Sequence, residues 1–319
     1  MSNISYKKMN GWECGMENKN YLYNNYLNMA RNARTEKNLL KALKFYKKAY
    51  SLNLGKEDID LLMDMALIYD EIGLYNEAEK KYYEILKLNE DEAMAYYGLA
   101  ILSEEKDDLE KAKGFYKKAI EKNSNYDKAY FFLANIYDEQ GNKYKAIYNY
   151  KIATKINPKD LWANANLSCI LEELNRNDDA LKYIDKALEI SPNHYKILFN
   201  KGVILNKLNK VEESKEYYNK SIMENPKYPY SFLNLAVIYR ENGDFIKAIE
   251  VISEGIIENE EQGFLYYNRA CFYVNIKENL KAIADVEKSI ELDDLFLDYM
   301  KKDKELDPIR ELEEYVHLI

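Results

Sequence analysis

Between residues 127 and 160, apolar side chains at Tyr130, Leu133 and Tyr137 follow helical spacing until Gly141 and Asn142 interrupt it. The spacing resumes at Ala146, Ile147, Tyr150 and Ala153 and stops again at Asn157-Pro158. This predicts a helical hairpin, and the hairpin recurs at a fixed step of 34 residues. Ala78, Ala112, Ala146, Ala180, Ser214, Ala248 and Ala282 keep that step, as do Ala66, Ala100, Ala134, Ser168, Gly202, Ala236 and Ala270. A looser series runs Ala119, Ala153, Ala187, Ser221, Gly255 and Ser289. Four residues after the first series come Tyr82, Tyr116, Tyr150 and Tyr218, with Ile184, Ile252 and Val286 in the remaining places. Small residues at fixed places let two helices approach, and the large side chain fills the wedge between them. A single hairpin cannot bury its own apolar face, so stacking must supply the core.

The pattern resembles the tetratricopeptide repeat family, most fully at Tyr130, Leu133, Ala134, Tyr137, Gly141, Ala146, Tyr150, Ala153 and Pro158. Units are read at 59–92, 93–126, 127–160, 161–194, 195–228, 229–262 and 263–296. An earlier and slightly longer one at 23–58 keeps Tyr26, Ala30, Ala42, Tyr46 and Ala49, which makes eight. The resemblance implies an all-α, right-handed superhelical solenoid of antiparallel hairpins, with the first helix of each unit lining a concave groove. Lys201 and Arg269 stand where the family usually has leucine, and Glu90, Ser124, Glu260 and Asp294 replace the closing proline seen at Pro158, Pro192 and Pro226. Residues 297–319 read as capping helices over the last hairpin, and residues 1–22 as a flexible segment.

Composition narrows the function classes. The 319 residues carry 46 Lys and Arg against 55 Asp and Glu, a net charge of −9, which argues against a general nucleic-acid binder. With 11 Gly and 5 Pro there is too little turn punctuation for a β-sandwich or barrel. Two His and three Cys leave almost no material for a zinc site or a Cys/His catalytic centre, so no metal and no cofactor are expected. Cys14, Cys169 and Cys271 form an odd set without CxxC spacing, which fits a reducing compartment; Cys169 and Cys271 hold equivalent places three units apart. No apolar run of 18 residues suggests membrane insertion, and the first twenty residues lack the apolar run of a signal peptide, so the cytoplasm is the expected location.

Three series fall on the groove that the resemblance implies. Asn166, Asn200, Asn234 and Asn268 repeat at the sixth place, where an amide can pair with a peptide backbone whatever its side chains. Four such bonds at roughly 0.5–1.5 kcal/mol each do not make a complex alone, so anchors are needed. Met94, Tyr97, Phe131, Trp162, Phe199, Tyr230, Phe264 and Tyr267, at the second and fifth places, are the candidate anchors, with Trp162 preferred. Near the ends of four consecutive first helices lie Asp70-Glu71, Glu104-Glu105, Asp138-Glu139 and Glu172-Glu173. Carboxylates there oppose the helix dipole, so stability alone does not favour them. Later units have Asn206-Lys207, Arg240-Glu241 and Val274-Asn275 instead, which predicts a groove that is acidic first and neutral to basic later, suited to a partner with a basic segment. The family's carboxylate clamp is matched by Asn135, Asn166 and Lys196, but Phe131 and Asn200 stand where its other cations belong.

No Walker loop, GxGxxG or GxSxG occurs, and His194 and His317 lie far apart in the array, so no catalytic residues are assigned. The expected function is a non-enzymatic scaffold that binds an extended segment of a partner protein in its groove. The alternatives are a self-associating assembly factor, with the array's edges or N-terminal arm building a homo-oligomer, or a peptide-sensing regulatory subunit.

Overall fold

A computed structural model describes residues 11–316, which fall into two compact units divided between Ile156 and Asn157. The first holds four helical hairpins: α1 (Gly11–Thr35) with α2 (Leu39–Tyr50), α3 (Ile59–Glu71) with α4 (Tyr75–Leu88), α5 (Ala93–Glu104) with α6 (Leu109–Lys122), and α7 (Asp127–Glu139) with α8 (Lys143–Ile156). The second also holds four: α9 (Leu161–Glu173) with α10 (Asn177–Ile190), α11 (Tyr195–Lys207) with α12 (Val211–Glu224), α13 (Pro229–Glu241) with α14 (Phe245–Glu258), and α15 (Gly263–Asn275) with α16 (Asn279–Leu292). It continues into α17 (Leu295–Met300), a 3-10 turn over Lys304–Ile309 and α18 (Glu313–Val316). No strand occurs among the described residues. Residues 11–22, expected in a flexible segment, are helical and run unbroken into the first hairpin.

Each hairpin turns on one residue in the left-handed region: Lys37, Gly73, Asp107, Gly141, Asn175, Asn209, Gly243 and Lys277. A glycine takes this conformation freely, whereas an L side chain costs about 1 kcal/mol or more. Just beyond the turn, Asp108 and Asp244 cap the second helix by accepting the backbone N–H of Lys111 (3.1 Å) and Lys247 (3.0 Å).

Packing follows the small–large series. Tyr46, Tyr82, Tyr116 and Tyr150 are buried wedges in the first unit, and Ile184, Tyr218, Ile252 and Val286 in the second. Where serine replaces alanine, its hydroxyl finds a carbonyl on the facing helix: Ser168 bonds Ala180 O (2.8 Å), Ser214 bonds Gly202 O (2.7 Å) and Ser289 bonds Gly263 O (2.9 Å). The two departures from leucine are compensated at a distance of 16 residues. Lys201 pairs with Asp185 (2.7 Å), and Arg269 grips Asp285 with two bonds of 2.7 and 2.8 Å. At the C-terminal end Leu306, Ile309 and Tyr315 are buried against the last hairpins, which dries their apolar side. His317 lies outside the described residues.

Two helical glycines make opposite demands. A Cβ on Gly98 would lie 2.2 Å from the ring of the buried Tyr82, whereas one on Gly114 would meet nothing within 4 Å. Gly98→Ala should therefore lose about 1–3 kcal/mol to overpacking, outweighing its helix-propensity gain. Gly114→Ala should gain up to about 1 kcal/mol. Urea unfolding of the two variants checks the pair; equal shifts would contradict the wedge contact.

Candidate ligand-binding faces of the two units

First helices of successive hairpins approach one another directly, α3 to α5 in the first unit, α9 to α11 and α13 to α15 in the second. The three series seen in the sequence lie on these helices.

In the second unit, rings form a file along the N-terminal ends of the first helices. Trp162 meets His194 edge-on at 5.3 Å, and His194 stacks parallel on Tyr195 at 5.5 Å. Tyr195 meets Tyr228 at 5.1 Å, Tyr228 meets Tyr230 at 5.3 Å, and Tyr230 stacks on Phe264 at 5.4 Å. Phe199 packs under the file against Tyr228 at 5.3 Å and is half-buried, as Phe264 is. Trp162 and Tyr230 each keep 48% of their surface exposed. Such rings are held by their neighbours while one side stays open, so they pay little ordering entropy on contact with a ligand. His194, Tyr195 and Tyr228 are absent from the sequence-based set. Their signal was available, since Tyr126, His194 and Tyr228 fall on multiples of the 34-residue step.

Tyr267 does not belong to this surface. It is buried, and its hydroxyl donates to Asp303 of the C-terminal segment, which folds over α15. The same segment supplies Glu305 to Arg240 (3.2 Å).

The asparagines are half-buried and partly engaged. Asn200 donates to Cys169 Sγ (3.2 Å), Asn234 to the Tyr218 hydroxyl (3.3 Å) and Asn268 to Phe264 O (2.7 Å); Asn166 is also engaged within the protein. One amide N–H of each of the first three is thereby spent and fixes the side chain, while the amide oxygen has no hydrogen bond among the described residues.

In the first unit Tyr97 is half-buried among Tyr116 (5.9 Å), Tyr126 (5.0 Å) and Phe132 (6.0 Å), and Phe131 lies between Phe132 (5.1 Å) and Tyr150 (5.8 Å). Met94 is exposed.

The paired carboxylates split as residues 100° apart on a helix must. Asp70, Glu104, Asp138 and Glu172 are half-buried, and Glu71, Glu105, Glu139 and Glu173 are exposed. Their neighbours differ. Lys143 sits on Asp138 at 2.6 Å, and Lys207 ion-pairs with Glu172. No cation among the described residues acts on Asp70 or Glu104. Burial raises the Asp70 carboxyl, with repulsion from Glu105 adding to it. Burial also raises Glu104; the nearby Tyr116 hydroxyl offsets part of this, and Glu139 and Glu105 repel it further. Glu104 Oε1 and the Tyr116 hydroxyl are buried beside each other, and the hydroxyl acts on the carboxylate as a hydrogen-bond donor. Asp138 and Glu172 are thus each paired with an ammonium group, whereas Asp70 and Glu104 have no ion-pair partner among the described residues.

Tetratricopeptide repeat models match residues 63–127, 127–160, 163–194, 195–228, 217–250 and 265–294, most of the chain, and the protein belongs to the tetratricopeptide repeat family. Its structure is similar to that of YrrB, described as a TPR protein with an unusual peptide-binding site (22% identity, 58% of this chain and 95% of that one, TM-score 0.51). It is also similar to the C-terminal part of a TPR repeat-containing protein from Cytophaga hutchinsonii (17% identity, 76% and 95%, TM-score 0.58). A third likeness is to the APC/C hetero-tetramer Cut9-Hcn1 (14% identity, 85% and 52%, TM-score 0.53). At these identities the likeness is one of fold. No protein of curated function matches the chain in sequence. No described helix is long and apolar enough to cross a membrane, and no metal-binding cluster occurs among the described residues.

The raised Glu104 carboxyl has a defined linkage. Its contribution to stability is full below the ordinary glutamate range and is lost as pH rises through its elevated folded value. Glu104→Gln should therefore melt above the wild type at neutral pH, with the difference closing on acidification below that range. Calorimetry across pH checks this, and a destabilised variant at neutral pH would contradict the uncompensated charge.

Proposed function

We propose that the protein is a non-enzymatic scaffold that holds an extended segment of a partner protein along the faces formed by its first helices. The observation that carries this reading is the aromatic file of the second unit, whose Trp162 and Tyr230 stay half exposed while His194 holds the first and Tyr228 and Phe264 hold the second. The unengaged amide oxygens of Asn200 and Asn234 can accept from a partner's backbone N–H groups. The carboxylates Asp70 and Glu104 favour a basic stretch in the partner. The fold it shares with YrrB, described as having an unusual peptide-binding site, supports a peptide ligand by analogy of fold alone. Cys169 and Cys271 carry no disulfide among the described residues, which supports the cytoplasm as its place of action.

A partner captured from host extract and reduced to its binding segment gives the direct measurement. Trp162→Ala should weaken that segment by about thirtyfold, the effect of losing a ~2 kcal/mol hot spot. Asn200→Ala combined with Asn234→Ala should weaken it less. Helicity and melting should be retained in the Trp162 variant, and unchanged affinity in both would refute the model.

A second reading, self-association, is favoured by α1, where Tyr21, Leu22 and Met29 are exposed. Light scattering of the full chain against Tyr21→Ser with Met29→Ser should show a concentration-dependent dimer that the variant loses. A monomer in both would remove this reading.

A further inference from the structure

The segment after α16 does more than close the end of the array. Its 3-10 turn, Lys304–Ile309, packs on α15 and α16, and Glu305 reaches past α15 to Arg240 of α13 at 3.2 Å. Both residues that it engages through its carboxylates belong to the face of the first helices. Tyr267, whose hydroxyl donates to Asp303, repeats the place of Tyr97, Phe131 and Phe199, and Arg240 repeats the last-turn place of Asp138 and Glu172. Leu306 and Ile309 are buried completely beside these contacts. Arg310 donates to the carbonyls of Lys301 and Asp303, so the segment is closed on itself and meets the face already shaped. Its seat is nevertheless incomplete. Arg240, Phe245, Val274 and Asn275 line a cleft whose opposite wall is Glu305 and Pro308, a gap that core packing does not leave. The Arg240–Glu305 pair is open to solvent, and such a pair holds weakly.

We propose that the face of α13 and α15 is a binding surface for an acidic and apolar segment, and that residues 301–312 of this chain are its resident, displaceable occupant. The proposal rests on the scaffold reading and specifies a ligand and how access to it is governed. Covering the last hairpin requires only Leu306, Ile309 and Tyr315. The reach to α13 adds nothing to that cover, and it is the contact a ligand spanning two hairpins makes. The occupant defines the partner's chemistry by charge complementarity: a carboxylate for the Tyr267 hydroxyl, a second one two residues on for Arg240, then apolar side chains one and four residues later, as Asp303, Glu305, Leu306 and Ile309 provide. An occupant tethered to its own face competes at an effective concentration on the order of millimolar, so a partner meets a reduced apparent affinity until the segment lifts. Cys271 lies beneath it, 3% exposed, with its thiol pushed up to about 12 by burial and by the carboxylates of Glu305 and Asp303. Its reactivity therefore reports whether the segment is seated.

The test uses the full chain with Cys14→Ser and Cys169→Ser, which leaves Cys271 as its thiol, and a fluorescein-labelled peptide of residues 301–312 followed by anisotropy. Asp303→Ser with Glu305→Ala removes both polar latches, while serine can still cap the 3-10 turn as Asp303 does. That variant should bind the peptide at least about tenfold more tightly than the parent, and its Cys271 should react with a maleimide at least about tenfold faster. Adding Arg240→Ala should abolish the gain in peptide affinity. Glu311→Ala with Glu314→Ala, which removes the same charge from exposed positions of the segment, should behave as the parent does. Should the latch variant lose helicity by circular dichroism, Glu305→Gln alone carries the same comparison. Equal peptide affinity in parent and latch variant, an Arg240→Ala without effect, or a Cys271 equally protected in both would each overturn the proposal. Trp162→Ala separates it from the scaffold reading. If that variant loses the native partner while the latch variant gains no affinity for the peptide, the scaffold reading stands and the resident occupant falls. If the latch variant gains affinity while the native partner ignores Trp162, the reverse holds.

Discussion

Both units depend on one contact, a large side chain of a second helix driven against a small residue of a first helix. At Gly98 and Gly202 the approach is so close that a methyl group would collide with the rings of Tyr82 and Tyr218. This contact sets the distance between helices, and the distance sets which further side chains can meet. The 34-residue step is its consequence, because a hairpin gains a buried face only when its neighbour repeats the same geometry. The substitutions along the series obey it: serine replaces alanine where a carbonyl lies within reach, and isoleucine or valine fills the tyrosine's place with a buried apolar side chain.

That contact also creates a polar problem. A tyrosine long enough to fill the wedge carries its hydroxyl to the face of the first helices, where it must be hydrogen-bonded or solvated. Asp64, Asn135 and Asn234 solve this from inside the chain, and Ile184, Ile252 and Val286 remove the hydroxyl altogether. The residues that answer a packing need therefore lie on the surface a ligand would touch. The asparagine series has this double character: Asn234 completes the wedge with one N–H and keeps its oxygen for another partner.

The hairpins were legible because they rest on near-neighbour spacing, which a period in sequence records directly. Side-chain partnerships were legible only where both members share that period. The ring file escaped notice because His194 and Tyr228 precede their helices, outside the places where a helical face is sought, and because Tyr195 occurs only once in its series. Tyr267 was misplaced because its burial depends on Asp303, from a segment with no repeat at all. The acid series looked uniform, yet Lys143 and Lys207 neutralise two of its members from positions 5 and 35 residues on. Composition could count those lysines but had no means of assigning them.

The difference among these carboxylates bears on why the first unit keeps them. Asp138 and Glu172 are compatible with stability, since an ammonium at hydrogen-bonding distance offsets the loss of water. Asp70 and Glu104 are not, because burial and neighbouring carboxylates act on them in the same direction. Each also sits in the last turn of its helix, where the dipole is unfavourable to an anion. Three separate effects oppose the charge, and at Glu104 the Tyr116 hydroxyl offsets only part of them. A neutral side chain at either place would therefore give a more stable protein.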